Sequence, residues 1–188
     1  TKYNDTQDLR IALQKTGANN LFSFSGFYLI NNTMQLVSSG IDQGDVLWSV
    51  SSDFFGPYQL DALNNIDGDM TDPSLFPFTG GNHAYSDVIT TATGRTTSIK
   101  VCVDGREVTD FSGYASFIDV YWSNRIQARN TKKADGTGRE VLQENIHLHF
   151  DGHKWSVDNI IEHLEALKWL VYYGLQAQIP AWNEKVFY

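Results

Sequence analysis

The sequence predicts an all-β domain, an antiparallel sandwich preceded by a short helical arm. Three observations lead there: a charge-poor, aromatic-rich composition, short alternating runs from Leu21 onward, and breaks between those runs at Asn-Asn, Ser-Ser-Gly and Phe-Gly-Pro. Aromatic residues make up 13% of the chain against 19% charged, a balance that suits pleated surfaces filled by rings. With 188 residues the chain can build one good-sized core and is too short to argue for two. It is therefore read as an arm over residues 1–20 and a single sandwich domain over 21–188.

The elements follow in order. Thr6 to Lys15 (TQDLRIALQK) reads as an amphipathic helix, with Thr6 or Asp8 as its cap and Gly17 as its stop. Leu21–Ile30, Met34–Val37, Asp45–Ser52 and Pro57–Leu63 are apolar or alternating runs and read as strands. Strands this closely spaced indicate a sandwich or barrel rather than βαβ units. Asn64 to Ser86 has no period and reads as a long loop, a setting in which function often resides. Thr96–Asp104 reads as a strand turning at Asp104-Gly105, and Phe117–Arg129 reads as another strand. After the turn-rich Lys132–Gly138, Arg139–Phe150 is a further strand, closed by a tight turn at Asp151-Gly152.

Asp158 to Gln178 carries two signals. Ile160, Ile161, Leu164, Leu167, Leu170 and Val171 make a helical stripe, whereas Trp155, Val157 and Asn159, then Val171-Tyr172-Tyr173 before Gly174, favour strands. The expectation adopted is two strands with a turn near His163–Ala166, for the reason given with the resemblance below.

Composition excludes several classes. A formal charge of −8 argues against binding DNA or RNA, whose phosphates reward a basic surface. Apolar runs fall far short of a membrane span, so no insertion is expected. Cys102, the sole cysteine, rules out an internal disulfide and sits in the strand-like run Ile99–Val103 as a small apolar filler. No leader is read at Thr1, which fits a fragment boundary as well as a native terminus.

Two strands carry an unusual polar face. Alternation in Phe117–Arg129 puts Ile118, Val120, Trp122, Ile126 and Ala128 on one side and Asp119, Tyr121, Ser123, Arg125, Gln127 and Arg129 on the other. In Arg139–Phe150, Leu142, Ile146, Leu148 and Phe150 oppose Gln143, Asn145, His147 and His149. If the strands are neighbours, planar hydrogen-bonding groups and an aromatic share one face. Sugars suit that combination, because amides, guanidinium and imidazole pair with hydroxyls while rings pack on C–H faces. The plainer reading is the solvated side of an antiparallel sheet.

Metal readings come from two places. His147-x-His149 puts two imidazoles on one side of a strand, with a third ligand to come from His153 or His83. Asp67, Asp69 and Asp72 crowd carboxylates into a loop as calcium sites do, but without full EF-hand spacing or a closing Glu, so a solvated acidic turn is the simpler account. The expectation is no cofactor, with calcium at the carboxylate loop as the alternative.

Phe78-Thr79-Gly80-Gly81-Asn82-His83-Ala84-Tyr85 is the most distinctive local motif. Two glycines permit a bend or a close approach, and Asn82, His83 and Tyr85 then offer an amide, a base and a phenol. The alternative is a tight turn whose Asn and His satisfy backbone groups. No nucleophile elbow, Walker loop or dinucleotide loop appears.

FTGGNHAY, GRTTSIKVCVDGREV, NRIQARNTKKADGTGREVLQE and EALKWLVYYGLQ resemble, in that order, a β-sandwich domain of phage tail and tail-spike proteins and bacterial surface proteins. The resemblance spans Asp45 to Gln178. It implies strands before YYGLQ, a jelly-roll type sandwich, homo-oligomeric assembly, and a setting on a virion tail or bacterial surface in contact with envelope or capsular polysaccharide. Arg139-Glu140, Asn145-Ile146-His147 and Tyr172-Tyr173-Gly174-Leu175-Gln176 are also similar in order to motifs of alginate-lyase-type jelly rolls, at tighter spacing and with Asn145 in place of a Gln.

The functional expectation is carbohydrate recognition at a bacterial surface, with Asn82, Arg95, Tyr121, Arg125, Gln127, Asn145 and His149 as ligand-binding candidates. The alternative is an enzyme. A polysaccharide lyase would take its base from His83 or His147 and its acid from Tyr85 or Tyr173, with Arg95, Arg125 or Asn82 on the uronate carboxylate. A hydrolase would need two carboxylates, for which Asp119 and Glu144 are candidates. A structural decoration domain, the third class, would leave the polar face without a ligand.

Overall fold

The computed structural model describes residues 4–31, 45–49, 52–85, 91–152 and 154–176, and within them the chain runs through β1 (Gln7–Thr16), β2 (Leu21–Asn31), β3 (Asp45–Ser49), β4 (Tyr58–Ala62), β5 (Gly94–Val103), β6 (Arg106–Val108), β7 (Ile118–Gln127), β8 (Glu140–Phe150), β9 (Trp155–His163) and β10 (Leu167–Tyr172). The protein is all-β, as the composition and alternation predict. The strands form an antiparallel five-stranded sheet ordered β6-β5-β7-β8-β9, a three-stranded sheet β1-β2-β3 and a two-stranded ribbon β10-β4.

One face of the five-stranded sheet is covered by the other two sheets. Phe24 and Phe27 of β2 pack with Phe54 and Phe55 against Val120, Trp122, Ile146 and Leu148 of β7 and β8. At the other end Tyr58, Leu60 and Ala62 of β4, with Trp169 and Leu167 of β10, cover Ile126, Val141, Leu142 and Ile161. The result is a sandwich-like, two-layer arrangement whose inner faces are the apolar halves of alternating strands.

The N-terminal segment corrects the expected helix. Gln7–Thr16 is a strand, paired along its length with β2 from Gln7↔Asn31 to Thr16↔Leu21. Its apolar residues Leu9, Ile11 and Leu13 fall at period two, and all three pack against the aromatic core. A helix would have dispersed them around its surface. Gly17, read as a helix stop, instead opens a hairpin turn with positive φ at Gly17 (74°) and Asn20 (51°).

Both Asp-Gly pairs form turns where the sequence places them. Asp104 and Gly105 both take positive φ, as a type I′ hairpin turn requires, and join β5 to β6. Gly152 (φ 88°) closes the turn between β8 and β9. The described part of the ambiguous segment holds the end of β9 and all of β10: β9 pairs with β8, whereas β10 leaves for β4 in the opposite layer. Of the helical stripe, Ile161 and Leu167 join the core, and Ile160 and Leu170 face solvent. The Met34–Val37 strand and His153 lie outside the described residues.

Candidate functional site

The exposed face of the five-stranded sheet is set by register. Cross-strand pairs Tyr121↔Lys100, Asp119↔His149, Tyr121↔His147, Ser123↔Asn145, Arg125↔Gln143 and Arg125↔Arg95 keep these residues together on the side away from the core. The polar face read from two separate alternations is therefore continuous.

At one end Asp119 Oδ1 lies 2.8 Å from both His147 Nε2 and His149 Nδ1. Asp119 is buried, and the histidine side chains are about a third exposed at 33% and 39%. Burial pushes the Asp119 carboxyl up, but hydrogen bonds from His147 and His149 outweigh it and hold the group below its ordinary value. The three ligand-capable atoms lie within 4.8 Å of one another. Among the described residues this is the grouping able to hold a metal.

The rings around the cluster are fixed. Tyr121 stacks on His147 with centroids 4.3 Å apart and planes 9° apart, and the Lys100 ammonium sits 4.7 Å from the Tyr121 centroid. His147 and Lys100 approach from the two strands flanking β7, so Tyr121 is sandwiched and offers its edge and hydroxyl rather than an open ring face. Phe117 lies 5.7 Å from the His149 ring, and His147 Nδ1 faces Asp158 Oδ2 at 3.9 Å.

Further along the face Asn145 Oδ1 accepts from Ser123 Oγ (2.8 Å) and Gln143 Nε2 (2.7 Å). Arg95 is committed to a bidentate pair with Glu140, at 2.5 and 3.1 Å. Arg125, half-buried beside it, has no ion pair among the described residues. Gln127 falls at the β7–β8 bulge, where it opposes Glu140, and its buried Oε1 has no partner among the described residues. Beyond that bulge Arg129 turns into the protein and pairs with Asp61 Oδ1 and Oδ2 at 3.0 and 2.9 Å. β7 ends at Gln127 and Arg129 opens the one-turn 3-10 helix Arg129–Thr131, so it does not reach the open face.

The glycine-pair loop serves the fold. Gly80 and Gly81 take φ of 71° and 51°, and Thr79 exchanges two backbone hydrogen bonds with Tyr58. Asn82 Oδ1 accepts from Ala18 N at 2.6 Å, tying the loop to the β1–β2 turn. From that turn Asn19 Nδ2 donates to Gly81 O and His83 O, and Asn19 Oδ1 accepts from Thr93 N. Tyr85 is buried, its hydroxyl donates to Ala128 O at 2.8 Å, and burial pushes its phenol up to about 12. Asn82 and Tyr85 are thus fasteners, and nothing in the sequence of the loop identified Asn19 as the partner of its Gly81 and His83 carbonyls.

The remaining candidates are dispersed. His83 and Tyr173 both ring against Phe78, with centroids 5.2 and 5.6 Å away, and His83 Nε2 is 3.7 Å from Asp53 Oδ2. That aromatic patch borders the β4–β10 layer, whereas His147 stands on the outer face of the five-stranded sheet, so the four catalytic candidates form no single constellation. Asp119 and Glu144 project from opposite faces of that sheet and cannot flank one glycosidic bond. Asp67, Asp69 and Asp72 do not converge either. Asp69 Oδ2 is held by Arg139 Nη1 at 2.7 Å and by Ile66 N at 3.1 Å, and Asp72 Oδ1 accepts from Ser74 N at 3.0 Å.

No helix among the described residues is long and apolar enough to cross a membrane. No family model matches the chain, and no curated protein or solved structure matches it at a significant level.

Proposed function

We propose that the chain is a carbohydrate-recognition domain, a jelly-roll type sandwich that meets an acidic glycan with the outer face of its five-stranded sheet. The observation that carries this reading is Arg125: a half-buried guanidinium without an ion pair among the described residues, beside the amides of Gln143 and Asn145. A guanidinium so placed suits the planar carboxylate of a uronic or sialic acid, and the amides suit neighbouring hydroxyls. An open sheet face suits a polymer lying across strands better than a small molecule enclosed in a pocket. Its setting in a phage tail or other homo-oligomeric receptor-binding assembly, on a virion or cell surface, rests on the sequence resemblance.

A second reading, a lyase acting on envelope or capsular polysaccharide, draws on one observation. His147 is oriented by Asp119, the arrangement of a base and the group that aims it.

A glycan array containing acidic and neutral polysaccharides, with product absorbance read in parallel, tests both. Recognition expects binding to acidic glycans without unsaturated product, and Arg125→Ala weakening it about tenfold or more, the loss of a charge-assisted hydrogen bond. Absorbance growth that requires His147 selects the lyase. No binding to any acidic glycan, or an Arg125→Ala protein that binds as tightly as the parent, refutes the recognition reading.

A further inference from the structure

We propose that Asp119, His147 and His149 bind a divalent transition-metal ion of the zinc class. The site stands independently of the glycan reading, since it involves neither Arg125 nor any sugar.

Its geometry comes from strand pairing. Asp119 and His149 are direct cross-strand partners, and His147 lies two residues away on the same face of β8, so three side chains converge without a loop to position them. Asp119 Oδ1 touches Nε2 of one imidazole and Nδ1 of the other at 2.8 Å. Zinc at roughly 2.0–2.1 Å from each ligand in tetrahedral array holds its ligand atoms about 3.4 Å apart. The two oxygen–nitrogen edges therefore need to open by only about half an ångström to admit the ion, and the nitrogen–nitrogen edge lies within 4.8 Å.

The surroundings are those of a metal site. Ligation through Nε2 leaves His147 Nδ1 3.9 Å from Asp158 Oδ2, beyond a hydrogen bond, so a side-chain adjustment of the exposed Asp158 would complete the carboxylate–imidazole support that orients ligating histidines. Tyr121 fixes the plane of His147 by stacking and stands between it and the Lys100 ammonium. Phe117 borders His149. Two imidazoles and one carboxylate favour zinc, cobalt or nickel over calcium or magnesium, which take oxygen sets. Asp119 is buried while both imidazoles reach solvent, so a fourth position would face outward to water or to an oxygen of a ligand on the sheet.

The test uses the whole chain, stripped by chelator and dialysed, then titrated calorimetrically with zinc chloride. The expected result is saturation at one ion per chain and a zinc-dependent rise in melting temperature. His147→Gln and His149→Gln should abolish both effects, Asp158→Asn should weaken binding roughly 10–100-fold, and His83→Ala should change neither. Cobalt(II) provides a measurement that needs no variant: a low-coordinate, imidazole-ligated spectrum supports the site. The proposal is overturned by an aqueous-type cobalt spectrum, by the absence of stoichiometric zinc uptake, or by undiminished uptake in a folded Asp119→Asn/His147→Gln/His149→Gln protein.

Discussion

The phenol of Tyr58 donates a 2.5 Å hydrogen bond to Glu144 Oε1, joining β4 in one layer to β8 in the other. Both side chains are fully buried, and Asn124 Nδ2 donates to the second carboxylate oxygen at 2.9 Å. Tyr172 stacks on Tyr58 with centroids 5.0 Å apart. Alternation assigns position 144 to the core face, so a carboxyl stands where an apolar residue is the norm. Burial pushes it up to about 7 against the lowering effect of its two donors, and burial, followed by the neighbouring carboxylate, raises the Tyr58 phenol well above its usual value.

Stability should therefore fall as pH rises through neutrality. The folded carboxyl keeps its proton to about pH 7, while an unfolded glutamate releases it near 4.5. Below pH 4.5 both states are protonated and the group is neutral in the balance. Between the two values the unfolded state increasingly binds fewer protons, and above pH 7 the group disfavours folding by roughly 3 kcal/mol. Glu144→Gln removes that dependence. Urea denaturation at pH 5 and pH 8 should show a smaller difference for the variant than for the parent, and equal differences would contradict the assignment.

Tyr58→Phe removes one of the two donors that Glu144 relies on when ionised. The loss should be on the order of 2 kcal/mol at pH 8, where the carboxylate is charged, and smaller at pH 5. A pH-independent loss in the same denaturation experiment would mean that packing against Tyr172, rather than the hydrogen bond, dominates.

Arg139 ties the acidic loop to the sheet through Asp69, Glu165 Oε1 (2.7 Å) and Asn64 O (2.8 Å). Arg139→Ala should destabilise the protein by about 2 kcal/mol, between the values for exposed and buried pairs, because Asp69 is left buried without its cation. With Asp69 so engaged, adding calcium to metal-free protein should leave the melting temperature unchanged. A calcium-dependent rise would show that the carboxylates reorganise around the ion.

The fastening role of the glycine-pair loop predicts that Asn19→Ala costs more than Asn82→Ala. Asn19 serves Gly81 O, His83 O and Thr93 N, all part-buried or buried, whereas Asn82 caps one exposed amide. Roughly 2–3 kcal/mol against about 1 kcal/mol is expected in thermal denaturation. Equal effects, or loss of glycan binding in a folded Asn82→Ala protein, would return the loop to the ligand site.

Local pattern alone determined the strands β2, β4, β5, β7 and β8, the tight turns at Asp104-Gly105 and Asp151-Gly152, and which residues of β7 and β8 face outward, because period-two alternation and positive-φ turn chemistry are encoded within a few residues. The outward set includes Asp119, Tyr121, Asn145, His147 and His149, so much of the candidate site was legible before its neighbours were known. Tertiary structure decided what alternation leaves open. Leu9, Ile11 and Leu13 form a strand because β2 offers an edge to pair with and an aromatic core to cover. Asp119 meets both histidines only because β7 and β8 are paired in one register, and a slip of one residue would send them to opposite faces. Tyr85, Asn82 and Asp69, reactive in type, were withdrawn from chemistry by partners far along the chain. Which side chains are free to act depends on who else needs hydrogen bonds in the folded interior, and that accounting closes only when distant segments meet.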